Sequence, residues 1–271
     1  MSSLFIFGNG FDIAHGIPSK YSDFRSFILK LYPEALEFRD EVIYLKDAED
    51  IDAYEFAAEI LLSTMDSTAG KDWFNFEEAL AYINFDKKLP RPNHKENETE
   101  EEDNRLMGQY LLYMDMLTSG FINCSKFWEE FFRLWLKGIQ QKIDDGVYIA
   151  KDHLKPLFSE PGAQFLTFNY TKTLQRLYGV KKVIHIHNRV GQKLIWGHER
   201  DTVSYNQFNS GPDCLYIRSS FLDDMIISFK KDTATPQKSI TIFSKSLITI
   251  LIEYTHMDLV MERSTAFISK K

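Results

Sequence analysis

Apolar and polar positions divide the chain into three zones. In the first, to about Phe24, a short apolar run from Leu4 to Phe7 stops at Gly8-Asn9-Gly10. Such a run closed by glycines reads as a buried parallel strand feeding a tight turn, with a helix start behind it. In the second zone, roughly Ser26 to Gly146, apolar residues recur at the three- and four-residue spacing of helices. Tyr54 to Met65 and Phe74 to Ile83 are expected to be helical. Lys126 to Ile143 is the strongest helix signal: Phe127, Phe131 and Trp135 fall at i, i+4 and i+8, with Trp128 and Phe132 beside them. This aromatic stripe is read as core packing of a helical insertion that covers the site, not as a ligand wall. The third zone returns to an α/β pattern. Gln164 to Phe168 is expected as a strand, Thr171 to Tyr178 as a helix ended by Gly179, and Lys182 to His187 as a second strand. Leu194 to Gly197 is expected as a third strand, ending in His198.

At 271 residues, with 44% apolar and 14% aromatic content, the chain has ample core for one α/β domain carrying a helical insertion over residues 26–146. No apolar run is long enough to span a bilayer, and the N-terminal run has no basic lead-in. A soluble, cytoplasmic protein is expected. Cys124 and Cys214 lie far apart with no C-x-x-C, and are read as two free thiols rather than a disulfide or zinc site. The net charge of −7 argues against non-specific nucleic-acid binding. Much of it is local: Glu96, Glu98, Glu100, Glu101, Glu102 and Asp103 follow Pro90 and Pro92, and residues 93–104 are expected as a solvated loop. No glycine turn or regular ligand spacing accompanies these carboxylates, so no metal site is expected there.

In an open parallel sheet, ligands bind beyond the C-terminal ends of the strands. Four candidates fall at such ends: Gly8 to Asp12, Asn169 to Thr171, His187-Asn188, and His198. Gly8 and Gly10 are expected to allow unusual dihedrals and close backbone approach to a phosphate at a helix N-terminus. The dinucleotide fingerprint is incomplete, because Ile13 stands where a third glycine would fall. A lone G-x-G equally marks a plain βα turn. Asn169 can donate and accept hydrogen bonds, which suits a ribose or an ordered water. His187 has the chemistry of a general base near neutral pH. His185 and His187 are two apart, so on a strand they face opposite ways and do not share a metal.

The string Gly8-Asn9-Gly10-Phe11-Asp12, then His15-Gly16-Ile17-Pro18, then Tyr21-Ser22-Asp23-Phe24, resembles the opening of the AbiH family of bacteriophage abortive-infection proteins. It is also similar to the sirtuin opening, whose elements Gly8, Gly10, Gly16, Ile17, Pro18, Phe24 and Arg25 supply. Thr167-Phe168-Asn169-Tyr170 and His185-Ile186-His187-Asn188 resemble the Thr-x-Asn-Tyr and His-x-His-Gly segments of these proteins, with Asn188 in place of the last glycine. Gly197-His198 matches a later Gly-His. The resemblance implies a sirtuin-like Rossmann-type parallel sheet and a pocket for NAD. Asn169 would orient ribose or water, and His187 would act as base. Gly8, Asn9, Gly10, Phe11, Asp12, Gly16, Pro18, Tyr170 and His198 would surround the nucleotide. The paired C-x-x-C of a sirtuin deacylase is absent, and so is the G-x-S-x-G of a serine hydrolase.

The implied function is antiphage defence, by hydrolysis of NAD at the nicotinamide–ribose bond or by sensing a nucleotide or phage component without turnover. The partners implied are a nucleotide, a phage trigger and further copies of the chain, with no membrane and no nucleic acid. The resemblance also implies a C-terminal Gly-x-Ser segment and a downstream Asp, which the tail from residue 238 to 271 lacks. Read one base out of register, Met257-Asp258 and Met261-Glu262 each encode a glycine. With permitted codons, Glu253 to Lys270 becomes Ile-Tyr-Ser-Tyr-Gly-Phe-Ser-Tyr-Gly-Glu-Val-Asp-Cys-Val-Tyr-Ile-Glu, which contains both. The tail is therefore expected to be aberrant, through a frameshift near Pro236 to Lys238, or else a divergent native C-terminus.

Overall fold

A computed structural model of the chain describes residues 3–36, 52–85, 99–200, 213–232 and 267–268. In chain order the named elements are β1 (Leu4–Phe7), α1 (Asn9–Ala14), α2 (Tyr21–Leu31), α3 (Ala53–Thr68), α4 (Phe76–Ala79), α5 (Glu100–Asp144), α6 (Lys155–Phe158), β2 (Gln164–Thr167), α7 (Thr173–Tyr178), β3 (Ile184–His185), α8 (Asp213–Ile227) and β4 (Phe267–Ile268). The fold is mixed α/β and divides into two compact units. Residues 1–20, 133–195 and 232–271 form one; residues 21–132 and 196–231 form the other. No helix among the described residues is long and apolar enough to cross a membrane.

The first unit holds the sheet, in the order β3-β2-β1-β4. β1 runs parallel to β2 in the register Leu4–Gln164 to Phe7–Thr167, and β2 runs parallel to β3. β4 joins β1 antiparallel. Phe5, Phe7, Phe11, Phe165, Leu174 and Val180 form the buried apolar cluster that packs this sheet. α7 ends at Gly179, as its sequence predicts; Gly179 is left-handed at φ 69° and its N–H donates to Gln175 O.

Two strand expectations change. β3 is only Ile184–His185, not Lys182 to His187. Beyond it the chain turns: Asn188 is left-handed at φ 63°, and Ile195 N–H donates back to His187 O. Asn tolerates this conformation better than most residues, which accounts for Asn188 where the resemblance implies a glycine. Leu194 to Gly197 is not a strand, because Gly197 sits at φ 107°, outside any strand geometry.

The second unit is largely helical. α3 is capped by Asp52, whose carboxylate accepts the Tyr54 N–H at 2.8 Å, and it buries Ala57, Ile60, Leu61 and Met65. The aromatic stripe of α5 is core: Trp128 and Phe131 are fully buried, and the Trp128 indole donates to Ala57 O at 3.0 Å. Cys124, also on α5, is buried, which pushes its thiol pKa up to about 11.

α5 begins earlier than its apolar spacing predicts. Glu100, Glu101, Glu102 and Asp103 form its first turn rather than a loop. Thr99 and Glu102 make a reciprocal capping pair: Glu102 accepts from the Thr99 N–H, and the Glu102 N–H donates to Thr99 Oγ1. Carboxylates suit the positive end of a helix dipole, which is why an acidic run starts a helix here. Glu96 and Glu98 lie outside the described residues, as do residues 238–266 of the tail.

Candidate functional site

The C-terminal ends of β1 and β2 lie side by side, and the Phe168 N–H donates to Phe7 O at 2.9 Å. α1 starts directly after β1, so Gly8 is its N-cap and Gly10 lies inside it. Neither glycine has a left-handed φ; Gly8 is extended at φ −112°. This corrects the expectation of unusual dihedrals at Gly8 and Gly10. A Cβ added at either position would meet no protein atom within 4 Å. Among the described residues nothing requires glycine at either place.

The glycine with a conformational reason is Gly16, left-handed at φ 73° behind α1. Its N–H and that of Ile17 close the helix on Ile13 O and Asp12 O. Gly16 and Pro18 thus shape the exit from α1. Asn9 braces the same loop: its amide donates to Ser19 O at 2.8 Å and its Oδ1 accepts from Ser19 Oγ at 2.6 Å. Phe11 is buried against Phe7, with ring centroids 4.8 Å apart. His15 is held at both ring nitrogens, with Nδ1 2.7 Å from Phe11 O and Nε2 2.6 Å from the Tyr178 hydroxyl.

Asp12 is only 1% exposed. Thr171 Oγ1 donates to its Oδ2 at 2.5 Å, while Oδ1 has no partner within hydrogen-bond distance. Burial raises the carboxyl pKa above its ordinary value, against the pull of the hydrogen bond from Thr171 and of the polar groups of Thr173 and Asn169 nearby. The Asn169 backbone is pinned on both sides: its N–H donates to Thr167 Oγ1 at 3.0 Å, and its carbonyl accepts from His185 Nδ1 at 2.9 Å. His185 is buried and accepts from the Gln175 amide at Nε2, so it is a neutral structural residue; burial lowers its pKa.

His187 is half-buried beside β3. Its ring lies 5.7 Å from that of Tyr170 and 5.8 Å from that of Phe168. Tyr170 is tied by its hydroxyl to Ile195 O at 3.0 Å, so its ring is fixed under His187. The structure thus joins Gly8 to Asp12 with Asn169 and Thr171, and Tyr170 with His187. Phe168, Thr171 and Thr173 belong to the same surroundings. The strand-end rule pointed to Thr171, while no pattern in the sequence marks Thr173 or Phe168.

His198 belongs to the helical unit. It is buried, and its Nε2–H donates to Ile226 O at 3.0 Å near the end of α8. Backbone bonds run both ways across it, from His198 N–H to Phe229 O and from Lys231 N–H to His198 O. Burial lowers its pKa. It sits on an isolated bridge with Lys230 rather than at a strand end, which corrects that expectation. Arg25 is also in this unit, in a bidentate pair with Asp66 at 2.6 and 2.7 Å. Lys231 is held there by Glu77 at 2.9 Å and Glu199 at 3.3 Å; burial alone would lower its pKa, and the two carboxylates raise it.

No curated protein and no solved structure matches the chain. The family model for bacteriophage abortive infection AbiH matches residues 4–255, a span that takes in both glycine turns, the Asn169-Tyr170 and His185-Ile186-His187 segments and Gly197-His198. The chain therefore belongs to the AbiH family of bacteriophage abortive-infection proteins.

Proposed function

We propose that this AbiH protein acts in antiphage defence through a sirtuin-like pocket at the ends of β1 and β2 that binds NAD and hydrolyses its nicotinamide–ribose bond. The observation that carries the reading is the glycine pair. Gly10 lies in the first turn of α1 without a left-handed φ, and a Cβ there would meet no atom of the described residues within 4 Å. A ligand passing close to the backbone supplies a reason for glycine there, and a diphosphate suits the start of α1. On this reading Asn169 holds a ribose hydroxyl or the attacking water. His187 takes the water proton as oxygen bonds to the ribose carbon. The electron pair of the breaking C–N bond goes to nicotinamide, which leaves neutral. The half-buried ring of Phe168 gives the nicotinamide an apolar neighbour.

The test is to incubate purified protein with NAD and measure free nicotinamide, beside calorimetry. Gly10→Val should leave the thermal midpoint little changed, since a Cβ there meets no atom of the described residues within 4 Å, while NAD affinity falls at least ~10-fold. Unchanged affinity would move the pocket elsewhere. Binding without nicotinamide release would identify a sensor of NAD or a related nucleotide instead.

A second reading concerns the tail. We propose that the gene carries a frameshift near Pro236 to Lys238, so that residues 238–271 are not the native C-terminus and the chain is inactive. The support is that permitted codons for the tail allow a Gly-x-Ser and a downstream Asp in the alternative frame. The family match runs on to residue 255, past the proposed shift. The gene sequence decides between a shift and a divergent native end. A stop codon in the alternative frame within the tail, or no Gly-x-Ser coding there, removes this proposal.

A further inference from the structure

Charge is unevenly placed along the chain. Residues 133–195, the larger part of the sheet unit, carry eleven Lys and Arg against four Asp and Glu, although the whole chain stands at −7. Exposed charges act over about 8 Å at physiological salt, so a local excess matters more to a ligand than the total. Part of this excess is arranged in a row. On α5, positions 133, 137, 140 and 144 share one face, by the three- and four-residue spacing of a helix. That face lies against the start of α7: Gln140 Oε1 accepts the Lys172 N–H at 2.8 Å, and Arg176 pairs with Asp144 at 2.6 Å. Upstream on the same face, Arg133 and Lys137 are exposed and pair with no described residue. Arg133, Lys137, Lys172 and Arg176 thus form a line of four cations along α5 and α7. Lys172 follows Thr171 directly, so the line reaches the strand ends, where the half-buried rings of Phe168 and His187 lie 5.8 Å apart.

We propose that this line is a binding surface for single-stranded nucleic acid, which lays its phosphate backbone along α5 and α7 and brings its bases to the rings at the strand ends. The line is narrow: the adjoining exposed row on α5, Leu134, Gly138 and Gln141, is uncharged. One row of cations suits one backbone rather than the two of a duplex. Aromatic rings beside cations suit unpaired bases, which stack on them whatever their sequence. The expectation of no nucleic-acid partner averaged charge over the whole chain, whereas residues 133–195 taken alone have the opposite sign.

The test uses the whole chain and a labelled, mixed-sequence single-stranded DNA, with binding followed by fluorescence anisotropy as salt is raised. Four phosphates neutralised on a single strand give a slope of log K against log salt of about −3. Arg133→Gln/Lys137→Gln removes two of the four cations. It should bring the slope to about −1.4 and lower the affinity at least ~10-fold at low salt. Both side chains are exposed, so the thermal midpoint should not move. Lys181→Gln/Lys182→Gln removes the same charge from exposed positions ahead of β3, at the other end of that strand, and should leave affinity within about two-fold. No binding at low salt, equal losses in the two double variants, or tighter binding of the duplex form of the same DNA overturns the proposal. So does displacement of the DNA by polyglutamate of equal charge, which would identify a surface for any polyanion. None of these readouts involves NAD, so they decide the proposal whether or not nicotinamide is released.

Discussion

Gly197→Ala is expected to be the most damaging single methyl addition in the described part of this chain. A Cβ at Gly197 would stand 2.0 Å from the Phe229 carbonyl oxygen and 3.1 Å from its carbon. Those atoms are backbone and cannot swing away. They are also engaged, because Phe229 O accepts the His198 N–H at 3.0 Å. The backbone at φ 107° is strained for any residue with a side chain. Strain of ~1–3 kcal/mol and loss of the paired bonds across His198 together put the cost at roughly 3–5 kcal/mol. For a chain of this size that lowers the thermal midpoint by about 10 °C. Gly191→Ala is the control. Gly191 has a similarly positive φ of 91° but open space where the Cβ would go, so it should show the strain alone. Equal midpoints for the two variants would mean that the Phe229 contact does not constrain the turn.

His187→Ala is expected to remove nicotinamide release, by ~10²–10⁴-fold for loss of a general base, with little change in thermal midpoint. The ring is half-buried, 5.8 Å from that of Phe168 and 5.7 Å from that of Tyr170. Tyr170 stays anchored through Ile195, and β3 stays in register through His185. Retained nicotinamide release would eliminate His187 as the base. Lost release together with a collapsed midpoint would make it structural, as His185 is.

The contrast between the histidines shows where local pattern stops being informative. His185 and His187 lie in one expected strand, His198 ends another, and all three carry the same intrinsic chemistry. The first and last are buried and donate to backbone carbonyls, Asn169 O and Ile226 O, whose positions depend on segments far away in the chain. Nothing beside His198 in the sequence says that α8 ends against it. The acidic run at residues 100–103 erred for a related reason. Composition marks it as solvated, which it is, but whether solvated carboxylates form a loop or a first helical turn depends on Thr99 and on the apolar residues of α5 packing far downstream.

The sequence by itself determined the family, the strands at Leu4 and Gln164, the end of α7 at Gly179 and the burial of the aromatic stripe. Each rests on signals within a few residues: an apolar run stopped by glycine, a left-handed cap, a helical period. Only the tertiary structure decided what Asp12 does. Its carboxylate is 159 residues from Thr171 in the chain and 2.5 Å from it in space. Only the tertiary structure, too, distinguished the glycines. Gly16 and Gly197 are required by their backbones, and Gly197 also by the carbonyl against it. Gly8 and Gly10, the most conspicuous pair in the sequence, are required by nothing among the described residues, because a Cβ at either would meet no atom within 4 Å.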